Sequence, residues 1–233
     1  MPASTAARPA VDPRRRGRRS RRVGIVVLVV VGATILALVQ GNVALIAASW
    51  WARGTTDLHP GPKLDGVHKL YVVDERVWRG AQPGDDGFRS LAERGVRAVV
   101  DLRPGSDARR ADEKLRALGM EPVHMPVTDG QPPSPAQVRS LVGIVDRTSG
   151  IVFLHCGEGV GRAGTMSSAY KVTTGQSSAS DALRESLAIG VLTLEQIAFI
   201  RSLDHDGAHE PPAVVTAVSR FLDGPRQLFN RFV

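Results

Sequence analysis

Residues 151–165 read Ile151-Val152-Phe153-Leu154-His155-Cys156-Gly157-Glu158-Gly159-Val160-Gly161-Arg162-Ala163-Gly164-Thr165. The first four form an uncharged apolar run bounded by Gly150 and a glycine-rich turn, the pattern of a parallel strand buried on both faces. A helix is expected from Ala163 to Thr174. A tight turn with several glycines lets successive backbone N–H groups face inward, and the helix N-terminus behind it adds partial positive charge. Such a turn cradles a phosphate or sulfate. The same field stabilises a thiolate at Cys156, and the planar fork of Arg162 can hold two phosphoryl oxygens while staying charged.

Short strands are expected on either side at Leu70–Val73, Val77–Arg79, Ala98–Leu102 and Val123–Val127. Between them the spacing predicts helices over Asp86–Arg94 and Asp107–Leu118. Ser134-Pro135-Ala136-Gln137 is a helix start, with Ser134 as N-cap and Gln137 completing a capping box, for a helix running to about Val145. Further helices are expected at Ser180–Ile189 and Leu194–Leu203. Strands separated by helices imply an α/β fold, a mainly parallel central sheet flanked by helices.

His155, Cys156, Gly159 and Arg162 match an HCxxGxxR loop, and Gly164 continues it as RxG. With Trp78-Arg79-Gly80-Ala81-Gln82-Pro83 and Val99-Val100-Asp101-Leu102-Arg103, the chain from Val67 to Leu203 resembles the cysteine-dependent protein tyrosine phosphatases. The likeness is to their dual-specificity type and compact bacterial and fungal branch. That resemblance implies phosphomonoester hydrolysis through a phosphocysteine on Cys156. The phosphate would be bound by Gly157, Glu158, Gly159, Val160, Gly161 and Arg162, and His155 would shape the loop without transferring protons. It places the general acid on an upstream loop, where Asp129 precedes Gly130, Pro132 and Pro133, with Asp101 as a rival. The implied substrates are a phosphorylated protein or a small phosphomonoester, inositol phosphates among them, with no cofactor and no metal.

Two positions depart from the pattern. Ala163 stands where a Ser or Thr hydroxyl usually helps the cysteine leave, with Thr165 or water as substitutes. Glu158 puts a carboxylate where several lipid-directed relatives carry lysine. These departures motivate an alternative, a membrane-tethered pseudophosphatase that binds phosphate with little turnover. A rhodanese-like sulfurtransferase is a third reading, although those loops are shorter and lack the upstream acid.

Composition bounds the rest. A chain of 233 residues, 42% hydrophobic, supports one folded domain. Its net charge of +7 equals the seven arginines between Arg14 and Arg22, so the remainder is near neutral and carries no field for nucleic acid. Cysteine occurs once, which excludes an intrachain disulfide or a multi-thiolate metal site. Behind the arginines runs GIVVLVVVGATILALV, and no charge follows before Arg53. About 20 apolar residues cross a bilayer, and Trp50 and Trp51 suit an interfacial belt. A cleaved signal ending at Ala47-Ala48-Ser49, with Ser20-Arg21-Arg22 as a faint twin-arginine start, competes with an uncleaved single-pass anchor.

The expected organisation is a disordered basic tail (1–22), an anchor (23–51), a linker (52–66), the catalytic domain (67–205) and an extension (206–233) that packs on the domain or lies on a membrane. The arginine bias places the N-terminus in the cytoplasm and the catalytic domain outside it.

Overall fold

Strands β1 (Tyr71–Val72), β2 (Val77–Gly80), β3 (Val96–Asp101), β4 (Glu121–His124) and β5 (Ile151–His155) form one sheet in the order β1-β2-β5-β3-β4. The run read as a central strand is therefore its middle strand. Four of the strands are parallel and β1 is antiparallel to β2, so the sheet is mixed. These are features of a computed structural model that describes residues 13–105, 109–203 and 210–229.

Helices α1 (Pro13–Thr55), α2 (Asp85–Glu93), α3 (Asp112–Ala117), α4 (Pro135–Arg147), α5 (Gly161–Thr173), α6 (Ala179–Ile189), α7 (Leu194–Arg201) and α8 (Ala213–Phe229) complete the chain. Period-two alternation in β5 divides the core. Val152, Leu154 and Cys156 pack with Val138 and Leu141 of α4, Met166 of α5, Leu187 of α6 and Phe199 of α7. Phe153 points the other way, to Phe88 and Leu91 of α2 and Leu115 of α3. Each such large side chain contributes about 1.5–3 kcal/mol by leaving water. The capping box expected at Ser134 is present, its hydroxyl accepting from the Gln137 amide.

Several boundaries differ from the sequence reading. Asp107, the expected start of the third helix, lies outside the described residues, and the helix observed is Asp112–Ala117. β4 ends at His124 because Pro126 has no N–H to continue the ladder, although the Met125 and Val127 amides still bond to Asp101 and Leu102. Residues 1–12 of the expected tail lie outside the description, but from Pro13 the arginine run is helical. Arginine is a good helix former, and the long apolar helix supplies the nucleus.

Gly24–Thr55 is a helical stretch of 32 residues whose apolar window has a mean hydropathy of 2.4, long and apolar enough to cross a membrane. The chain divides into compact units at Val43/Ala44. Within the second unit, residues 52–66 are bound to the domain rather than standing off it as a linker. Ala52 is fully buried, and the Ser49 hydroxyl and Arg53 Nε donate to the Leu187 and Ala188 carbonyls at 2.7 and 3.1 Å. These bonds satisfy carbonyls left over at the C-terminal end of α6. Further on, the Gly61 amide donates to Leu70, and Pro60 bridges Tyr71. At the other end, residues 204–209 of the expected domain boundary lie outside the description, and α8 packs on α7. There the Ser219 hydroxyl accepts from the Glu195 amide and Arg220 pairs with the Glu195 carboxylate at 3.2 Å.

His155 closes β5 on the α2 face, stacked on Phe153 with ring centroids 5.9 Å apart. Its Nδ1 lies 3.3 Å from the Cys156 carbonyl oxygen. Burial lowers its pKa from 6.5 to about 4, against a smaller raising effect of Asp101. The folded chain thus keeps the ring neutral where the unfolded chain has already bound a proton. Stability from this site is full above about pH 6.5 and is lost as pH falls toward 4, by about 3 kcal/mol at the low end. Chemical denaturation of the parent and His155→Gln between pH 4 and 8 should show a steeper acid loss in the parent. Parallel curves would count against it.

Candidate active site

The turn between β5 and α5 is held from three sides. The Gln82 amide donates to the Gly157 carbonyl at 3.1 Å, and the Leu102 amide to that of His155 at 2.9 Å. Gly159 has φ 73°, and a Cβ there would lie 2.4 Å from the Ala81 nitrogen and the Gly80 carbonyl carbon. No L side chain fits that approach, which accounts for the glycine in both conformation and space. Val160 then enters α5, whose N-terminus carries no side-chain cap, leaving its first amides unclaimed by a side chain.

This arrangement floors a cavity of about 220 Å³ at the C-terminal edge of the parallel strands, where open α/β sheets place ligands. Cys156, Gly157, Glu158, Val160, Gly161 and Arg162 line it from the turn, and Asp129 and Gly130 from the loop after β4. Of the residues read as site residues in the sequence, Gly159, His155 and the rival acid Asp101 do not line it. Gly159 acts through backbone approach, and His155 faces the opposite side of the sheet. Cys156 is buried at the base, whereas Glu158 is exposed at the rim.

Arg162 Nη2 stands 3.2 Å from Asp129 Oδ1, and Arg162 Nε is buried without a hydrogen-bond partner among the described residues. The Asp129 loop is tied down at its far end, where the Thr193 hydroxyl donates to the Gly130 carbonyl at 2.7 Å and Gln196 Nε2 to that of Gln131 at 3.3 Å. Asp101 has a different partner set. Its carboxylate receives the Arg103 backbone amide at 2.8 Å and the Arg103 guanidinium at 2.6–3.1 Å, away from the cavity.

Ala163 is fully buried, so no hydroxyl stands after Arg162. The Thr165 hydroxyl is committed to the Gly161 carbonyl one helical turn earlier, at 2.8 Å. Sequence reasoning missed Val191, Thr193 and Gln196, which complete the cavity wall. Thr193 and Gln196 form a capping box at the start of α7, the one signal that could have singled them out. Arg79 was quoted only as a strand end and part of a family segment, with no role given, and it is buried.

The model of the family described as a DSP-PTPase phosphatase fused to NAD+ kinase matches residues 67–202. A probable chloroplastic NAD kinase 2 of Oryza sativa subsp. japonica is 35% identical over 134 residues, which cover 49% of this chain and 14% of that protein. A beta-lactamase hydrolase-like protein of Xylella fastidiosa is 30% identical over 99 residues, 39% of this chain and 22% of that protein. The chain thus spans a small part of the curated relatives it matches. Among solved structures, a mutant form of Tk-PTP superposes with a TM-score of 0.53 at 25% identity, over 59% of this chain and 95% of that one. The expected kinship and the α/β fold agree with these matches, and from Val67 to Ser202 the chain belongs to the dual-specificity-type phosphatase family described in fusion with NAD+ kinase.

Proposed function

We propose that the chain hydrolyses phosphomonoesters through a phosphocysteine on Cys156, with Arg162 holding the phosphoryl group and Asp129 as general acid. The observation that carries this reading is their convergence on one small cavity. The Cys156 thiolate attacks phosphorus as the bond to the ester oxygen breaks, and Asp129 delivers a proton to that oxygen. Water then attacks the phosphocysteine, gives its proton to Asp129, and releases inorganic phosphate and the thiolate. Throughout, the Arg162 fork and the first amides of α5 meet the charge on the non-bridging oxygens. The Arg162 guanidinium also lies 3.2 Å from Asp129 Oδ1, which brings clamp and acid to the same side of the cavity.

The acceptable substrates are a phosphorylated protein side chain or a small phosphomonoester, including an inositol phosphate with few substituents. Two carboxylates, Asp129 and Glu158, face the mouth, and a second phosphate beside the reacting one would meet them. The domain organisation we propose keeps residues 23–51 as a single-pass anchor, with the arginine-rich end in the cytoplasm and the catalytic domain outside it. Protease added to intact cells should then degrade the C-terminal domain. Its survival until lysis would reverse the orientation.

Cys156→Ser should abolish turnover of a generic aryl phosphate, by at least ~10³-fold, while retaining phosphate binding. Asp129→Asn should lower kcat about 10²–10⁴-fold with a poor leaving group. Unchanged turnover in the Cys156 variant would end the proposal. Because Ala163 offers the departing sulfur no hydroxyl, breakdown of the phosphocysteine is expected to limit the rate. Ala163→Ser should therefore raise kcat by up to about 10-fold and lower the steady-state level of the intermediate in rapid-quench measurements. An unchanged kcat would show that another step limits.

A further inference from the structure

Arg79 of β2 is 2% exposed, and among the described residues its Nε and Nη2 have no hydrogen-bond partner. Its Nη1 donates to the Ser167 hydroxyl at 2.9 Å, and that hydroxyl donates in turn to the Gly164 carbonyl at 2.9 Å. A Cβ added to Gly164 would stand 3.0 Å from Nη1 and 3.5 Å from Nη2. The guanidinium therefore lies against the first turns of α5, in space that exists because residue 164 has no side chain.

Sheet register locates it relative to the nucleophile. Arg79 pairs with Leu154 on the neighbouring parallel strand, so Cys156 is two residues further on, just past the end of β5. Val77, Leu154 and Cys156 share one core cluster, and alternation from Val77 puts Arg79 on that same face of the sheet. Arg79 thus sits behind the cavity floor, on the side of Cys156 away from substrate.

A buried cation without a carboxylate partner is costly. The charged and titratable groups around Arg79 are few: Glu185 of α6, which pairs instead with Lys171 at 2.6 Å, the Tyr71 ring at 5.8 Å, and Cys156. Burial lowers the Arg79 pKa to about 10, which leaves it charged at neutral pH. Around Cys156 stand Arg162, Asp129, Glu158 and the neutral His155. Arg162 is engaged by Asp129, whereas Arg79, on the same face of the sheet as Cys156, has no carboxylate partner among the described residues.

Building on the reading of Cys156 as nucleophile, we infer that Arg79 is a positioning residue whose buried guanidinium, seated against Gly164, holds the Cys156 sulfur as a thiolate from behind the phosphate loop. The anion it lacks in its own surroundings is the thiolate and, after attack, the phosphoryl group that the sulfur carries. Gly164 and Ser167 are the parts of α5 that give the guanidinium its place.

Cys156 is the sole cysteine, so alkylation by iodoacetamide reports on it alone. In the full chain in detergent, Arg79→Met should lower the alkylation rate at pH 6 by ~10-fold, with parent and variant converging near pH 9, and Arg79→Lys should recover much of the loss. A merely structural role would not move the rate in this pH-dependent way. An Arg79→Met protein that melts cooperatively and alkylates like the parent at pH 6 would overturn the inference. If that variant does not fold, Ser167→Ala, which frees the guanidinium but keeps its charge, should show a smaller shift of ~3-fold, and an unshifted profile there would overturn it equally. Alkylation needs no substrate, so its failure leaves the phosphatase reading standing, whereas loss of that reading would show in turnover by the parent.

Discussion

The structure depends on one close approach, that of Gly159 to the backbone of Gly80 and Ala81. With β5 in the middle of the sheet and β2 beside it, the turn leaving β5 can descend onto the end of β2 only through a left-handed residue with no Cβ. That contact sets where α5 begins. It thereby sets where the first helical amides, the Arg162 guanidinium and the Cys156 sulfur meet. A side chain at 159 would lift the turn from the sheet and disperse all three.

Charge is distributed around this turn with economy. Two carboxylates and one guanidinium face the cavity, and a second guanidinium lies beneath it. The outer cation pairs with Asp129, while the inner one is held by a hydroxyl and by the absence of a side chain at Gly164. His155, although adjacent to Cys156, contributes no charge near neutral pH because burial suppresses its protonation. The second wall of the cavity comes from α7 and the residues before it, which also pin the loop bearing Asp129. The segment before α7 leaves α6 just beyond the carbonyls bonded to Ser49 and Arg53, so the end of the apolar helix is continuous with the frame of the site.

The strand, turn and helix of the candidate site were legible where residue type and spacing imposed them. A buried apolar run, a cysteine, alternating glycines and an arginine six positions on define strand, turn and helix by local rules, and Ser134 announces α4 in the same way. What stayed illegible depended on contacts distant in sequence. Arg79 reads as an ordinary strand arginine until its neighbours Gly164 and Ser167, some 88 residues away, close over it. Thr193 and Gln196 read as a helix start, and nothing local says that the cap also faces a cavity. The stretch after Trp51 has the glycines and prolines of a linker, yet Ala52 is buried because its helix docks on α6, a pairing that periodicity within one segment does not encode.

The central claim is that Cys156 carries the phosphoryl group between the two chemical steps. Acid quenching of the full chain during turnover of an aryl phosphate, followed by mass spectrometry of the peptide containing Cys156, tests it directly. The account predicts the added mass of one phosphoryl group on that peptide in the parent protein, and none in Cys156→Ser. Steady release of phosphate with an unmodified Cys156 peptide at every quench time would contradict it.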